Sequence, residues 1–288
     1  MAFTEAVEAI IKDKIDRLES VPLAFNTAIE KLQIDKLNRV LKMLDTLDTK
    51  NGLIVLSRAN LMLIEDLTDA IRETLTGAEY DGLVKDLMGE FDQQAAITYK
   101  YMEEIIPSFS VPSIAQAVLK EKKAVTVQSL LNMTDERLSV NFRTVISNAV
   151  TGGSSRQGLI DAVRLLVVGD PNVDGRLLSA TRQIVSDAFA LSDSAVTNTV
   201  AEQLGLEWYL YTGGLLNTTR PFCKQRLGRF FHKTEVMAWP ITAGDWAGRM
   251  AGTTPQTIFV TRGGYNCQHA LLPVSEFAVP AEDRARIK

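Results

Sequence analysis

Cysteine and histidine are scarce in this chain of 288 residues, two of each, and all four fall in one stretch as Cys223, His232, Cys267 and His269. Thiolate and imidazole together are the donor set of structural zinc, which needs four ligands in a closed tetrahedron. Cys267 and His269 stand two apart at the end of a strand-like segment, so in a continuing strand their side chains point the same way. Cys223 and His232 come from a preceding loop that could converge on them. The spacing, C-x8-H followed by C-x-H, lacks the C-x2-C and H-x3-5-H pairs of zinc fingers. Three readings therefore stand side by side: a structural zinc site, a Cys223–Cys267 disulfide, and buried or hydrogen-bonded residues with no cofactor, which is the default. A cysteine with a histidine is also the minimum of a thiol nucleophile. Papain-like and caspase-like surroundings, a G-x-S-x-G elbow and an H-E-x-x-H helix are all missing, and no activating partner or oxyanion site can be named. No enzyme is expected, and a cytosolic enzyme or metal-binding effector built on these four residues is the alternative.

The same region is rich in basic residues: Arg220, Lys224, Arg226, Arg229, Lys233, Arg249 and Arg262, opposed only by Glu235 and Asp245. The first five are the expected contacts to DNA or to an acidic protein face, phosphate contacts that carry no sequence information. Phe222, Phe230 and Phe231, interleaved with them, are read as the core of a small domain rather than as stacking platforms for bases. A second candidate, TGGSSRQGLIDAVRLL from Thr151, invites comparison with a phosphate loop. It lacks the Gly-Lys-Ser/Thr ending and a preceding buried strand, so Ser154 with Gln157 is read as a helix capping box.

The elements that must position these residues are mostly helices. Ile34, Leu37, Leu41 and Leu44, and again Ile64, Leu67, Ile71 and Leu75, recur at spacings of three and four, the stripe of an amphipathic helix. Asn51-Gly52 and Gly77 read as helix ends, Pro22 as a start or kink, and the two prolines of IPSFSVPS as an interruption after residue 105. Leu177 to Leu204 reads as one long helix ending at Gly205. Beyond it the character changes: EWYLYTGG, QTIFVTRGG and HALLPV read as short strands. The expected fold is α+β and mostly α-helical, a long N-terminal helical region followed by a small α+β C-terminal domain with a short antiparallel sheet. Four segments follow: 1–110, an acidic helical arm or bundle; 111–205, helical; 206–278, a small β-containing tail; and 279–288, a frayed C-terminus. The tail is expected to fold independently, and the arm to dock on a partner or on a second copy of itself.

Composition narrows the classes of function. A net charge of −4 argues against whole-surface affinity for nucleic acid or anionic membrane, and the acidity is concentrated in residues 1–110. No run approaches the roughly 18 to 20 apolar residues of a membrane helix, so no membrane insertion is expected. The opening MAFTEAVEAIIKDK carries acidic residues where a signal peptide would carry basic ones, so the chain is read as cytosolic when made.

Taken in order, these segments resemble the head-morphogenesis, or minor head, proteins of tailed bacteriophages, the phage Mu F-like family. A capped helix after a glycine-rich turn (TGGSSRQGLIDAVRLL) is followed by a long helix carrying Ala180-Thr181-Arg182 and a short aromatic strand (EWYLYTGG). TTRPFCKQRLGRFFHKTEV is similar to the family's Thr-Arg-Pro-x-Cys segment with its Gly-Lys-x-Phe continuation, and GGYNCQHALLPV to its Gly-Gly-x-Asn-Cys-Arg-His ending. The resemblance covers roughly residues 140–275 and leaves the acidic helices out. Asn217 stands where the family often has an acidic residue, Gln268 where it has Arg, and Arg229 where it has Lys. The resemblance implies a non-catalytic structural protein of the phage head, made in the host cytoplasm and present in few copies in the virion. It implies association with the portal vertex, a part in head assembly and in DNA packaging or delivery, and portal protein, major capsid or scaffolding protein and packaged DNA as partners. Too few residues follow the Cys-x-His pair for a fused toxin domain of the kind some relatives carry.

Overall fold

The computed structural model describes residues 3–133 and 137–287. The fold is α+β and mostly helical, with one three-stranded antiparallel sheet near the C-terminus. The chain forms two compact units: Met1–Pro22, Met88–Val125 and Ser186–Lys288 in the first, Leu23–Leu87 and Thr126–Val185 in the second. The expected division at residue 110 is therefore replaced by one in which α1 (Glu5–Met43), α3 (Ala78–Ile105), α4 (Ser113–Met133) and α7 (Arg176–Gln203) each contribute to both units. Pro22 lies well inside α1 rather than at a helix start, whereas Pro107 and Pro112 separate α3 from α4, as their chemistry requires.

In the second unit, α2 (Arg58–Thr76) packs on α5 (Ser139–Gly152), burying Ile64, Leu67, Ile71 and Leu75 as the periodicity predicts. The stripe in α1 is shifted: Ile29, Leu32 and Val40 are buried and Ile34 is exposed, while Leu44 is buried in the 3-10 turn that follows. The side chain of buried Gln33 sets this face, because its oxygen accepts from the Leu178 amide at 2.9 Å. Asn51-Gly52 is a hairpin turn rather than a helix end. Asn51 (φ 55°) and Gly52 (φ 77°) join β1 (Thr49–Lys50) to β2 (Leu53–Ile54), the positive-φ pair that a tight antiparallel hairpin needs.

The glycine-rich turn between α5 and α6 (Arg156–Val168) packs on that hairpin. Ile54 N donates to the Ser154 carbonyl and Arg156 N to the Gly52 carbonyl. Backbone groups that would have to face a phosphate are thus engaged elsewhere. The cap of α6 is Ser155, one residue later than expected, with its hydroxyl accepting from Gly158 N at 3.0 Å, while Gln157 pairs with Asp161 instead of closing a capping box. A second minimal hairpin, β3 (Gly169–Asp170) with β4 (Val173–Asp174), leads into α7.

The first unit holds the sheet, in the order β6-β5-β7. Its centre is β5 (Trp208–Thr212), flanked by β6 (Phe230–His232) and β7 (Ala270–Val274). Alternation along β5 puts Tyr209 and Tyr211 on one face, in a cluster with Phe222, Phe231, Trp239 and Phe259, and Trp208 on the other with Val274 and Val279. Between the strands lie the single turn α8 (Pro221–Lys224), α9 (Lys233–Thr242) and α10 (Ile258–Thr261). The last of these corrects the expectation of a strand in QTIFVTRGG, where the turn ends at Arg262 instead of pairing with the sheet. The C-terminal segment is also structured. Residues Ala281–Ala285 form α11, and Arg286 donates to the Phe230 carbonyl at 2.8 Å and lies 3.5 Å from Glu235.

Nor does the tail stand apart from the N-terminal helices. Tyr101 of α3 donates to the Pro273 carbonyl of β7 at 2.8 Å. Lys14 of α1 is fully buried and ion-paired with Asp193 of α7, and its ammonium also reaches the Thr98 and Thr197 hydroxyls. Gln94 donates to Asp193 at 3.0 Å and to the Lys14 carbonyl at 3.2 Å. Removing one member of a buried ion pair leaves the other charge without compensation, which costs about 3–5 kcal/mol. Lys14→Met should lower the stability of the chain by about that amount in chemical denaturation. Adding Asp193→Asn, which removes the second charge and keeps an acceptor for Gln94, should restore a large part of the loss. A single variant as stable as the parent chain would show that the charge is not buried.

Candidate functional site

Three of the four Cys and His residues meet, and the reason lies in three short segments. Arg220-Pro221 starts the single turn of α8, with Pro221 where the missing N–H is harmless, and this turn carries Cys223 inward. The loop from Arg262 to Gln268 carries Cys267, and His269 directly precedes β7. One ligand atom from each of Cys223, Cys267 and His269 lies within 4.8 Å of the others, and all three residues are buried. Cys267 Sγ is 3.7 Å from His269 Nδ1. The Tyr211 hydroxyl of β5 donates to Cys223 Sγ at 3.3 Å and lies 3.9 Å from Cys267 Sγ, and the Tyr211 ring stacks on the imidazole with centroids 5.5 Å apart.

The loop that brings Cys267 here is held by side-chain donors. Arg262, 2% exposed, directs its guanidinium to the carbonyls of His269 and Cys267. Arg220 donates to the carbonyls of Gly263 and Tyr265, and Trp246 Nε1 donates to Gly263 at 3.0 Å. Buried carbonyls outside a regular ladder need such partners. With its carbonyl anchored, Gly263 leaves room for the sulfurs: a Cβ there would lie 2.6 Å from Cys223 Sγ and 2.7 Å from Cys267 Sγ. Gly264, at φ 102°, passes so close to the Gly248 carbonyl that only glycine fits.

The two thiols divide their protons unequally. Cys223 is pushed far up because it hydrogen-bonds to Cys267, with burial adding to the effect. Cys267 is held well below the ordinary thiol range because it accepts from Cys223, with His269 and Arg262 acting in the same direction. Burial pushes the Tyr211 phenol well above its ordinary value, so it remains a donor. A pocket of about 200 Å³ lies against the cluster, lined besides by Gly214, Leu216, Thr219, Arg220, Asn266 and Gln268.

His232 is not part of this site. Its register partner on β5 is Trp208, whereas the cluster lies beyond Thr212 and its partner Ala270, four residues or about 13 Å along the strand. It instead caps α9. The imidazole accepts from Thr234 N, the His232 amide donates to Glu235 at 2.8 Å, and the ring sits edge-on to Trp208. The short hop from Phe230 to His232 gave no alternation from which the strand, or this direction, could be read.

The basic stretch also divides. Arg226 lies over the Phe222 ring at 3.8 Å and donates to the Phe222 carbonyl. Trp246 stacks on Phe222 with centroids 4.1 Å apart, and Arg249 lies 5.0 Å from Trp246 while donating to the carbonyls of Pro240, Gly244 and Thr253. With Arg220 and Arg262, these arginines serve the fold. Lys224 and Arg229 are exposed, and Lys233 is half-buried. The residues that spacing did not single out are Tyr211 and Trp246. Gly263-Gly264 is legible in the sequence as the place where the backbone turns tightly into the contact and a Cβ would clash, and both glycines are found in that role.

Compared with known proteins, the chain matches no family model, no curated protein and no solved structure. Among the described residues, no helix is long and apolar enough to cross a membrane.

Because the sulfurs already occupy the space above residue 263, Gly263→Ala should lower the melting temperature, by the equivalent of about 1–3 kcal/mol of overpacking. Gly214→Ala, at a neighbouring position where an added Cβ meets nothing within 4 Å, should leave it nearly unchanged. Equal effects of the two substitutions in thermal denaturation would contradict the close approach.

Proposed function

We propose that this protein is a non-catalytic structural component of a tailed-phage head, present in few copies at the portal vertex and acting in head assembly. The observation that carries the reading is the order of the segments resembling the head-morphogenesis family, together with the meeting of two of them. TTRPFC and GGYNCQH, far apart in sequence, supply Cys223, Cys267 and His269 to one buried cluster beneath the aromatic strand EWYLYTGG. The internal use of Arg226, Arg249 and Arg262 agrees with a scaffold role for this region.

Two surfaces are assigned to partners on this reading. The portal or another capsid protein is met by the second unit, where Leu53, Leu56, Leu61 and Met62 are exposed around β2 and the start of α2. Packaged DNA is met through the exposed Lys224 and Arg229, with Lys233 beside them. Such contacts are to phosphate, sensitive to salt and indifferent to sequence.

Mass spectrometry of purified particles, with and without DNA, tests the assignment. The protein should be found in both at a fixed low ratio to the major capsid protein, and its absence from all particles would overturn the reading. Lys224→Glu should weaken retention of unrelated DNA sequences equally at low salt without changing the melting temperature, and Arg229→Glu should weaken it further with some loss of stability, since Arg229 also donates to the Gln225 carbonyl and lies over the Phe231 ring. If the parent protein retains no DNA at low salt, the DNA contact is to be dropped and the portal assignment stands on the particle data.

A further inference from the structure

We propose that Cys223, Cys267 and His269 form a zinc site of three protein ligands, its fourth position left to a solvent molecule on the side of the adjoining pocket. The donor set comes first. Two thiols and an imidazole, all buried and with ligand atoms within 4.8 Å of one another, are the borderline-soft donors that zinc prefers. Zinc bonds of about 2.3 Å to sulfur and about 2.0–2.1 Å to nitrogen, set tetrahedrally, place a sulfur and a nitrogen ligand about 3.6 Å apart. Cys267 Sγ and His269 Nδ1 are already 3.7 Å apart.

A second observation points the same way. His269 is 6% exposed, yet its ring has little hydrogen bonding to keep it there. Nδ1 faces only the Cys267 sulfur, and Nε2 is buried without a hydrogen-bond partner among the described residues. Buried polar atoms are nearly always paired, and the one weak sulfur contact of Nδ1 is what a bond to a metal would replace; the unpaired Nε2 is left as it is by a metal at Nδ1.

The surroundings suit a metal centre. The Tyr211 hydroxyl donates to Cys223 Sγ, the kind of outer hydrogen bond that steadies a thiolate ligand. Arg262 holds the carbonyls on both sides of Gln268, which fixes the backbone that carries Cys267 and His269. Two thiolates neutralise the charge of the ion, so a neighbouring guanidinium already engaged by carbonyls meets no net positive charge. No fourth His, Cys, Asp or Glu joins the group among the described residues. The pocket of about 200 Å³ is where the remaining position is reached. This inference rests on geometry alone and is independent of the role proposed in the phage head.

The test uses the full chain, purified under reducing conditions, with zinc and then cobalt as the probes. One zinc per chain is expected by elemental analysis, with an X-ray absorption edge fitted by two sulfur and two nitrogen or oxygen neighbours. Replacing zinc by cobalt should give a thiolate-to-cobalt charge-transfer band and the intense visible bands of a four-coordinate ion. Chelation should lower the melting temperature. Cys267→Ser and His269→Gln should each weaken metal binding at least tenfold in competition with a colorimetric chelator, whereas His232→Gln should bind as the parent does. Should a ligand variant fail to fold, the absorption fit of the parent protein decides. Parent protein that takes up no zinc or cobalt, that carries a Cys223–Cys267 disulfide instead, or whose cobalt bands vanish in His232→Gln would overturn the site.

Discussion

The closing of the sheet-bearing unit depends on a backbone position with no side chain. Two sulfurs and a phenol converge over Gly263, with the nearest sulfur 2.6 Å from where a Cβ would stand. The turn at Pro221, the strand β5 and the lead into β7 can reach one another only because that space is open. Neighbouring Gly264 extends the constraint, since its close approach to the Gly248 carbonyl fastens the loop to the segment after α9. A single methyl group at either place would separate elements that share one apolar cluster.

The arginines of this region follow from the same constraint. A loop that carries Cys267 into the interior brings unpaired carbonyls with it, and buried carbonyls demand donors. Arg262, Arg220 and Trp246 supply them, and Arg249 does the same for the segment around Pro240 and Gly244. An arginine suits this work because its planar head presents several donors at once and its stem packs on aromatic rings, as Arg226 does on Phe222. A run of basic residues with few acids nearby is thus mostly a set of carbonyl clamps. The charge left for a partner is smaller than the count of residues implies.

In the same unit, Lys14 and Asp193 play a comparable part with full charges. Their pairing ties α1 to α7, and Gln94 ties both to α3. A buried ion pair is weak evidence of net stability but fixes which helix faces meet, because any other alignment would leave a charge unpaired. That explains why residues near the N-terminus belong with the C-terminal sheet.

Much of the fold was legible from local pattern. The stripes of α2, the prolines between α3 and α4, the span of α7 and the strands β5 and β7 are properties of neighbouring residues, and periodicity and turn chemistry report them directly. The confinement of all cysteine and histidine to one stretch was equally visible. Where pattern misled, distant atoms made the decision. The stripe of α1 shifted because Gln33 binds Leu178, and Asn51-Gly52 became a hairpin braced by Ser154. The Ile258–Thr261 segment is a helical turn that sends Ile258 and Phe259 into the apolar cluster and ends at Arg262, whose guanidinium holds the carbonyls of Cys267 and His269. The sequence by itself determined the longer helices, the strands β5 and β7 and the chemistry of the donors. Only the tertiary structure decided that His232 stands apart, that Tyr211 belongs with the sulfurs, and that the two units cut across the chain. Spacing along a chain fixes which side chains share a strand or helix face, but convergence between segments depends on strand register and on the room left by every other residue.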